Sequence, residues 1–170
     1  IRLGKRRLTV NYELREREMP GERRLGFTKA DVLYMFMPDR FAQGRADNSK
    51  ETTRMPYTID RSQPSLRHGG DLEGVRQHLD YFNEHGVTAL WLTPVLGNDM
   101  GEGKGMSSYH GYATTDYYRV DPRFGTNADY RRLIDEAHAK GLKVVMDMIF
   151  NHCGDRHPWM SDAPSADWFN

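Results

Sequence analysis

Three polar residues at the end of one apolar run have the residue types of an active site. Residues 144–152 read Val-Val-Met-Asp-Met-Ile-Phe-Asn-His, so Asp147 interrupts strand-forming residues, and Asn151 and His152 follow at the exit. A charged group inside a buried strand costs several kcal/mol unless it is paired or hydrogen-bonded. We therefore predict a buried strand over residues 144–152 whose carboxyl end contributes to an active site.

Composition limits the classes of function. The chain has 170 residues, of which 38% are apolar, which is enough for one domain-sized core. Lysine plus arginine equals aspartate plus glutamate at 24 each, so net charge gives no reason to expect a nucleic-acid partner. The apolar runs are too short for a membrane span. The single cysteine, Cys153, excludes an internal disulfide framework.

The predicted strand that contains Asp147 belongs to a repeating pattern. Near-continuous apolar runs at residues 32–37, 88–92 and 142–146 predict parallel strands that are covered on both faces. Two amphipathic helices are predicted between them, the first with Asp71 as N-cap and Gly86 after its C-cap. The second opens with a capping box over residues 126–129 and closes at Gly141. The apolar faces are Leu72, Val75, Leu79 and Phe82 in the first helix and Tyr130, Leu133, Ile134 and Ala137 in the second.

The connections in this α/β pattern are unequal in length. Residues 38–70 and 93–125 are long loops that leave the carboxyl ends of the first two strands, whereas the turns from helix to strand are short. Long loops inside a compact domain are usually functional, and ligands bind at the carboxyl ends of parallel strands. The second loop carries Tyr109, His110 and Tyr112 close together.

The first part of the chain follows a different pattern. Residues 8–14 alternate apolar and polar side chains, which predicts a half-buried antiparallel strand, and residues 18–22 break it. We predict that residues 1–25 are the last strand of a preceding domain plus a linker. Residues 26–170 then form a separate α/β domain.

Seven short motifs occur in order along residues 31–170. They are Asp39-Arg-Phe41, Gly69-Gly-Asp71, Tyr109-His-Gly-Tyr112, Asp116-Tyr-Tyr118, Val120-Asp-Pro-Arg-Phe-Gly125, Ala137-His138 and Asp147-Met-Ile-Phe-Asn-His152. Together they resemble the amino-terminal part of the catalytic barrel in the α-amylase family of glycoside hydrolases, especially its neopullulanase-like and cyclomaltodextrinase-like members. The resemblance implies the first three units of a (β/α)₈ TIM barrel, and residues 1–25 resemble the end of that subgroup's amino-terminal β-sandwich domain.

The resemblance implies a role for each residue of the predicted site. Tyr112 stacks against the sugar next to the scissile bond, and His152 hydrogen-bonds a hydroxyl of that sugar. His110 contributes to substrate binding. Asp147 is a buried support that partners an arginine. From the sequence alone, a loop aromatic at Tyr112 and a structural ion pair at Asp147 remain alternatives.

The resemblance also makes calcium a candidate cofactor. Asn151 is implied to supply a carbonyl oxygen to one calcium ion, which requires six to eight oxygen ligands. A second site in some relatives uses the first loop with Gly69 and Asp71. In this chain Gln43 and Arg45 stand where those relatives carry Asn and Asp. Because an arginine cannot ligate a cation, the second site is in doubt.

The catalytic acids themselves are not expected in these residues. Retaining glycoside hydrolysis needs a nucleophilic carboxylate and a second acid/base carboxylate about 5 Å apart. The resemblance places these after later strands of the barrel. We therefore predict a fragment that is inactive by itself, from a retaining hydrolase of α-glucans such as starch, maltodextrin, pullulan or cyclodextrin. Alternatives are a transglycosylase of the same family and a non-catalytic glucan-binding barrel. The resemblance implies a periplasmic or extracellular location.

Overall fold

The computed structural model of the chain describes residues 2–3, 6–7, 9, 11–14, 26–48, 56–103 and 105–169. The strands found there are β1 (Arg2–Leu3), β2 (Arg6–Arg7), β3 (Leu33–Phe36), β4 (Ala89–Leu92), β5 (Leu96–Gly97), β6 (Asp116–Val120) and β7 (Lys143–Met146). The helices are α1 (Pro38–Phe41), α2 (Leu72–Gln77), α3 (Leu79–Glu84) and α4 (Asn127–Ala139), and a 3-10 helix spans Pro158–Met160.

A parallel three-stranded sheet lies at the centre of the α/β part. Its strand order is β3-β4-β7, and the register places Phe36 beside Leu92 and Leu92 beside Met146. The three predicted strands and their parallel arrangement are therefore confirmed. Because the strands end level with one another, the residues that follow them meet at one edge, and Asp147 is one of these residues.

The helices pack on this sheet through the faces that the sequence predicts. Leu72, Leu79 and Phe82 are fully buried on α2 and α3, and Leu133 and Ala137 are fully buried on α4. Burying one of these Leu or Phe side chains contributes about 1.5–3 kcal/mol. Both predicted faces therefore belong to one hydrophobic core with the sheet.

The helix caps also follow the prediction. The Asp71 side chain accepts a hydrogen bond from the Gly74 amide, and Thr126 and Asp129 form a reciprocal capping box. Gly86 and Gly141 follow the C-caps with φ values of +72° and +79°. Each cap satisfies backbone groups that a helix end leaves without partners.

The first predicted helix is interrupted at His78. The backbone N–H of His78 donates to Val75 O, three residues back, and its ring nitrogen Nδ1 lies 2.7 Å from Gly74 O. The imidazole thus takes the carbonyl that the next α-helical turn needs, and the helix divides into α2 and α3. The predicted single helix is wrong at this point.

Two strand predictions need correction. The strand predicted over residues 144–152 ends at Met146, and Phe150 is 87% exposed beyond it. Asp147 therefore lies directly after the strand and not inside it. Residues 11–14 are exposed and form no strand, while Leu8 and Val10 lie outside the described residues. The predicted boundary at residue 25 also falls outside them.

The second long loop contains a β-hairpin that the sequence did not reveal. Strands β5 and β6 pair antiparallel, with Leu96 beside Val120 and an irregularity before Gly97 pairs with Asp116.

No helix in the described part of the chain is long and apolar enough to cross a bilayer.

An ion-pair network between α2 and α4 makes stability depend on pH. Arg76 bonds Glu73 on its own helix and Glu136 on α4, and its hydrogen bonds lower the pKa of Glu73 to about 2. A carboxyl whose pKa is lower in the folded state stabilises the fold above its unfolded pKa. Stability should fall as the pH drops from about 4.5 towards 2. Denaturant titrations at several pH values should show a weaker dependence for Glu73→Gln than for Glu84→Gln, since Glu84 is exposed.

Candidate active site

The carboxylate of Asp147 is the centre of a hydrogen-bonded group at the strand edge. Its Oδ2 accepts from the Tyr112 hydroxyl at 2.9 Å and from Trp91 Nε1 at 3.0 Å. Asp147 is half-buried. Both donors reach the same carboxylate oxygen, and the arginine partner implied for Asp147 stays a prediction.

Tyr112 remains a donor over the whole physiological pH range. Burial, together with the hydrogen bond and negative charge of Asp147, raises the pKa of Tyr112 to about 12. The phenol is therefore protonated at neutral pH, and its O–H points at the carboxylate. This bond holds the aromatic ring at a defined angle above the sheet edge.

His110 contacts Tyr112 through both its backbone and its ring. Its Nδ1 accepts the Tyr112 backbone N–H at 2.9 Å, and the two rings stack with centroids 5.7 Å apart. Burial and the positive charge of Arg67 lower the pKa of His110, which favours the neutral ring that this acceptor role needs. His110 is predicted to bind substrate, and its contacts here include Tyr112 and the Tyr109 ring.

His152 lies beside the backbone of the same tyrosine. Its Nε2 donates to Tyr112 O at 3.0 Å, and its Nδ1 lies 3.4 Å from the Asn151 amide nitrogen. Both ring nitrogens are engaged within the protein. A hydrogen bond from His152 to a sugar hydroxyl would therefore have to replace one of these two contacts.

Trp91 is a member of the group that sequence reasoning missed. Position 91 faces the opposite side of β4 from the fully buried Leu90, and β4 pairs with β7 so that Trp91 lies beside Val145. The indole N–H reaches Asp147, which lies two positions beyond Val145 and directly after β7. A buried indole usually finds a hydrogen-bond partner. The signal available in the sequence was an N–H donor in an apolar strand predicted to lie near the strand that precedes Asp147.

Comparison with known proteins places this geometry in a family. Residues 35–170 match the family model described as alpha amylase, catalytic domain. The chain belongs to the alpha-amylase family. It is 40% identical over 130 residues to Neopullulanase 2 of Thermoactinomyces vulgaris, which is 76% of this chain and 21% of that protein.

Other alpha-amylase relatives give the same result. The maltogenic alpha-amylase of Bacillus acidopullulyticus is 36% identical over 151 residues, covering 85% of this chain and 24% of the relative. The crystal structure of Anoxybacillus alpha-amylase superposes with a TM-score of 0.71 at 40% identity, over 83% of this chain and 28% of that one. The chain thus spans about a quarter of the length of these relatives.

Asn151 stays a predicted calcium ligand. It is exposed on the segment that follows β7, and it can offer an oxygen to a cation. Calcium requires six to eight such ligands, of which Asn151 supplies one. A calcium ion bound here would tie this segment to neighbouring oxygen ligands.

The second implied calcium site does not fit its residues. Asp71 is fully buried, and its oxygens accept N–H groups from Gly44 at 2.9 Å, Arg45 at 2.9 Å and Gly74 at 2.7 Å. Gly69 has only its backbone carbonyl oxygen to offer a cation, and its amide donates to Asp39. Lone pairs directed at N–H donors are not available to a cation. Over the described ranges, no three His, Cys, Asp or Glu side chains are grouped to hold a metal ion.

Arg45 places a positively charged side chain in the first long loop, near the second implied calcium site. Its guanidinium bonds Asp47 at 2.7 Å and lies 3.8 Å from the Asp129 carboxylate of α4. The hydrogen bond with Asp47 raises the pKa of Arg45. The positive charge therefore stays in place at every physiological pH.

We expect the conformation of residues 44–48 not to depend on calcium. Amide hydrogen exchange at residues 44–48 should be equal in millimolar calcium and in excess chelator, because the Asp71 carboxylate is already saturated by N–H donors. Exchange at residues 150–153 serves as the internal comparison, since Asn151 is the other implied ligand. Calcium-dependent protection of residues 44–48 would show that the loop does bind the ion.

Proposed function

We propose that the full-length protein, meaning the natural chain that carries residues 1–170, is a retaining hydrolase of α-glucosidic bonds. The observation that carries the proposal is the linked group of Tyr112, Asp147 and His152 at the carboxyl edge of a parallel sheet in an alpha-amylase family chain. Ligands bind at this edge in barrels of this type.

Each member of the group has a task that suits a sugar. A pyranose has apolar C–H faces, and the Tyr112 ring offers an aromatic surface for them. Asp147 fixes the ring through its hydroxyl, and His110 fixes the adjoining backbone. His152 is placed to contact a hydroxyl of the same sugar by exchanging its bond to Tyr112 O. These residues bind and orient the substrate, and two carboxylates outside residues 1–170 perform the displacement.

The proposal includes further barrel strands beside both edge strands of the sheet, β3 and β7. Strands β3 and β7 each pair with β4, and the β3 residues Leu33, Tyr34 and Met35 are 40% to 53% exposed. Open apolar strand edges favour association with other strands. We infer that these strands are the first three of eight, and that a β-sandwich domain precedes them.

The relatives suggest the substrates. Their names include neopullulanase and cyclomaltodextrinase, and a Geobacillus thermoleovorans alpha-amylase of 39% identity and TM-score 0.66 is complexed with acarbose. We propose starch, maltodextrins, pullulan and cyclodextrins as the substrate class, and a periplasmic or extracellular site of action. A transglycosylase and a non-catalytic glucan-binding barrel are the competing functions.

A reducing-sugar assay on the full-length protein separates the three functions. We expect the protein to release reducing sugar from at least one of starch, pullulan and β-cyclodextrin. The rate of release should change little when glucose is added as an acceptor. If the added acceptor lowers the release of reducing sugar and longer products form, the protein is a transferase. Binding without product would indicate a glucan-binding protein. Residues 1–170 produced alone should show no turnover, and turnover there would contradict the proposed location of the carboxylates.

A further inference from the structure

The segment after β7 is attached to the hairpin of the preceding loop. The Gly154 amide donates to Thr114 O at 2.7 Å, and a Cβ on Gly154 would lie 2.6 Å from Ala113 O. The close approach of the two backbones therefore requires glycine at this position. The segment that carries His152 is held by contacts with residues 112–117.

Tyr117 contacts the main chain of His152. Its hydroxyl donates to the His152 backbone oxygen at 2.8 Å. Its ring packs against His157, with centroids 5.5 Å apart, and stacks on Trp159 at 5.7 Å and 27°. Because the ring is held on β6 and among these aromatics, the hydroxyl is a fixed anchor for the main chain of His152.

His152 is held at two points, by Tyr117 through its backbone and by Tyr112 through its ring. Tyr117 holds the His152 carbonyl, while the His152 imidazole reaches Tyr112 O. The distance between the Tyr112 ring and the His152 imidazole therefore depends on the hairpin. We propose that Tyr117 is a positioning residue that sets the width of the sugar site between Tyr112 and His152.

The proposal rests on the proposed function and predicts a specific kinetic change. Tyr117→Phe keeps the ring and removes one hydrogen bond, so kcat/KM on the best glucan substrate should fall about threefold to tenfold. The change should appear mainly as a higher KM, since His152 holds the sugar both before and during reaction. Tyr118→Phe is the matched control, because the neighbouring Tyr118 is 84% exposed.

A double-mutant cycle in the full-length protein distinguishes positioning from a general structural role. If Tyr117 acts through His152, then Tyr117→Phe should have little further effect in the His152→Ala background. Additive losses, an unchanged Tyr117→Phe variant, or an equal loss in Tyr118→Phe would overturn the proposal. Thermal denaturation midpoints of all variants show whether a loss reflects unfolding.

A second readout does not depend on turnover. Amide hydrogen exchange at residues 152–154 should be faster in Tyr117→Phe than in wild type and unchanged in Tyr118→Phe. If wild type has no activity on glucans, the proposed function fails, while this exchange measurement still decides whether Tyr117 anchors His152. Equal exchange in all three proteins would reject the anchor.

Discussion

Replacing Asp147 by Ala in the full-length protein should lower kcat/KM on α-glucans by about a hundredfold, the effect expected when binding groups are misplaced by about 1 Å. The Tyr112 hydroxyl and the Trp91 indole share one oxygen of this carboxylate, so both lose their acceptor together. The Tyr112 ring is then free to turn away from the sugar. Initial-rate kinetics on the best substrate measure the loss.

Two further variants show whether the loss comes from these hydrogen bonds. Asp147→Asn keeps an oxygen that can accept from either donor, so its kcat/KM should lie between wild type and Asp147→Ala. Asp155→Asn, at an exposed position in the same segment, should behave as wild type. Unchanged kinetics for Asp147→Ala would mean that the carboxylate does not support the site.

Replacing Asp121 by Ala should lower the free energy of unfolding by about 3–5 kcal/mol, because it leaves a buried charge unpaired. Asp121 is fully buried and accepts from Arg123 Nε at 2.7 Å and Nη2 at 2.6 Å, as well as from the Asn98 amide at 3.0 Å. Burial alone would raise the pKa of Asp121, but the hydrogen bonds and charge of Arg123, the charge of Arg67 and the Asn98 backbone N–H together lower that pKa. Urea denaturation measures the difference.

The comparison for this prediction is a surface ion pair. Asp80→Ala breaks a bond to Lys140 at a site where Asp80 is 72% exposed, and it should cost under about 1 kcal/mol. The double variant Asp121→Ala with Arg123→Met should recover part of the loss, since it removes the unpaired charge. Similar stabilities of the Asp121→Ala and Asp80→Ala variants would be inconsistent with this interpretation.

The elements with regular periodicity could be predicted from the sequence. The three parallel strands and the caps at Asp71 and Thr126 depend on residue patterns within short segments, and these patterns can be recognised in the sequence. Strand ends were less predictable. Residues 148–150 remain apolar after β7 ends, so hydrophobicity alone extended the strand past Met146.

The features that were missed depend on contacts between distant residues. The break at His78 arises from a side chain competing for a backbone carbonyl. Trp91 joins the site because the register of two strands brings its indole to Asp147. The anchoring of His152 by Tyr117 needs the β5–β6 hairpin, whose first strand has only two residues. Patterns along the chain do not encode such pairings.

The configuration of the first product tests the central claim most directly. Proton NMR during hydrolysis of maltoheptaose by the full-length protein reports the anomer released before mutarotation. The proposed double displacement predicts the α-anomer. Initial release of the β-anomer, or no hydrolysis of maltoheptaose, starch, pullulan or cyclodextrin, would contradict a retaining α-glucan hydrolase built around the Tyr112, Asp147 and His152 site.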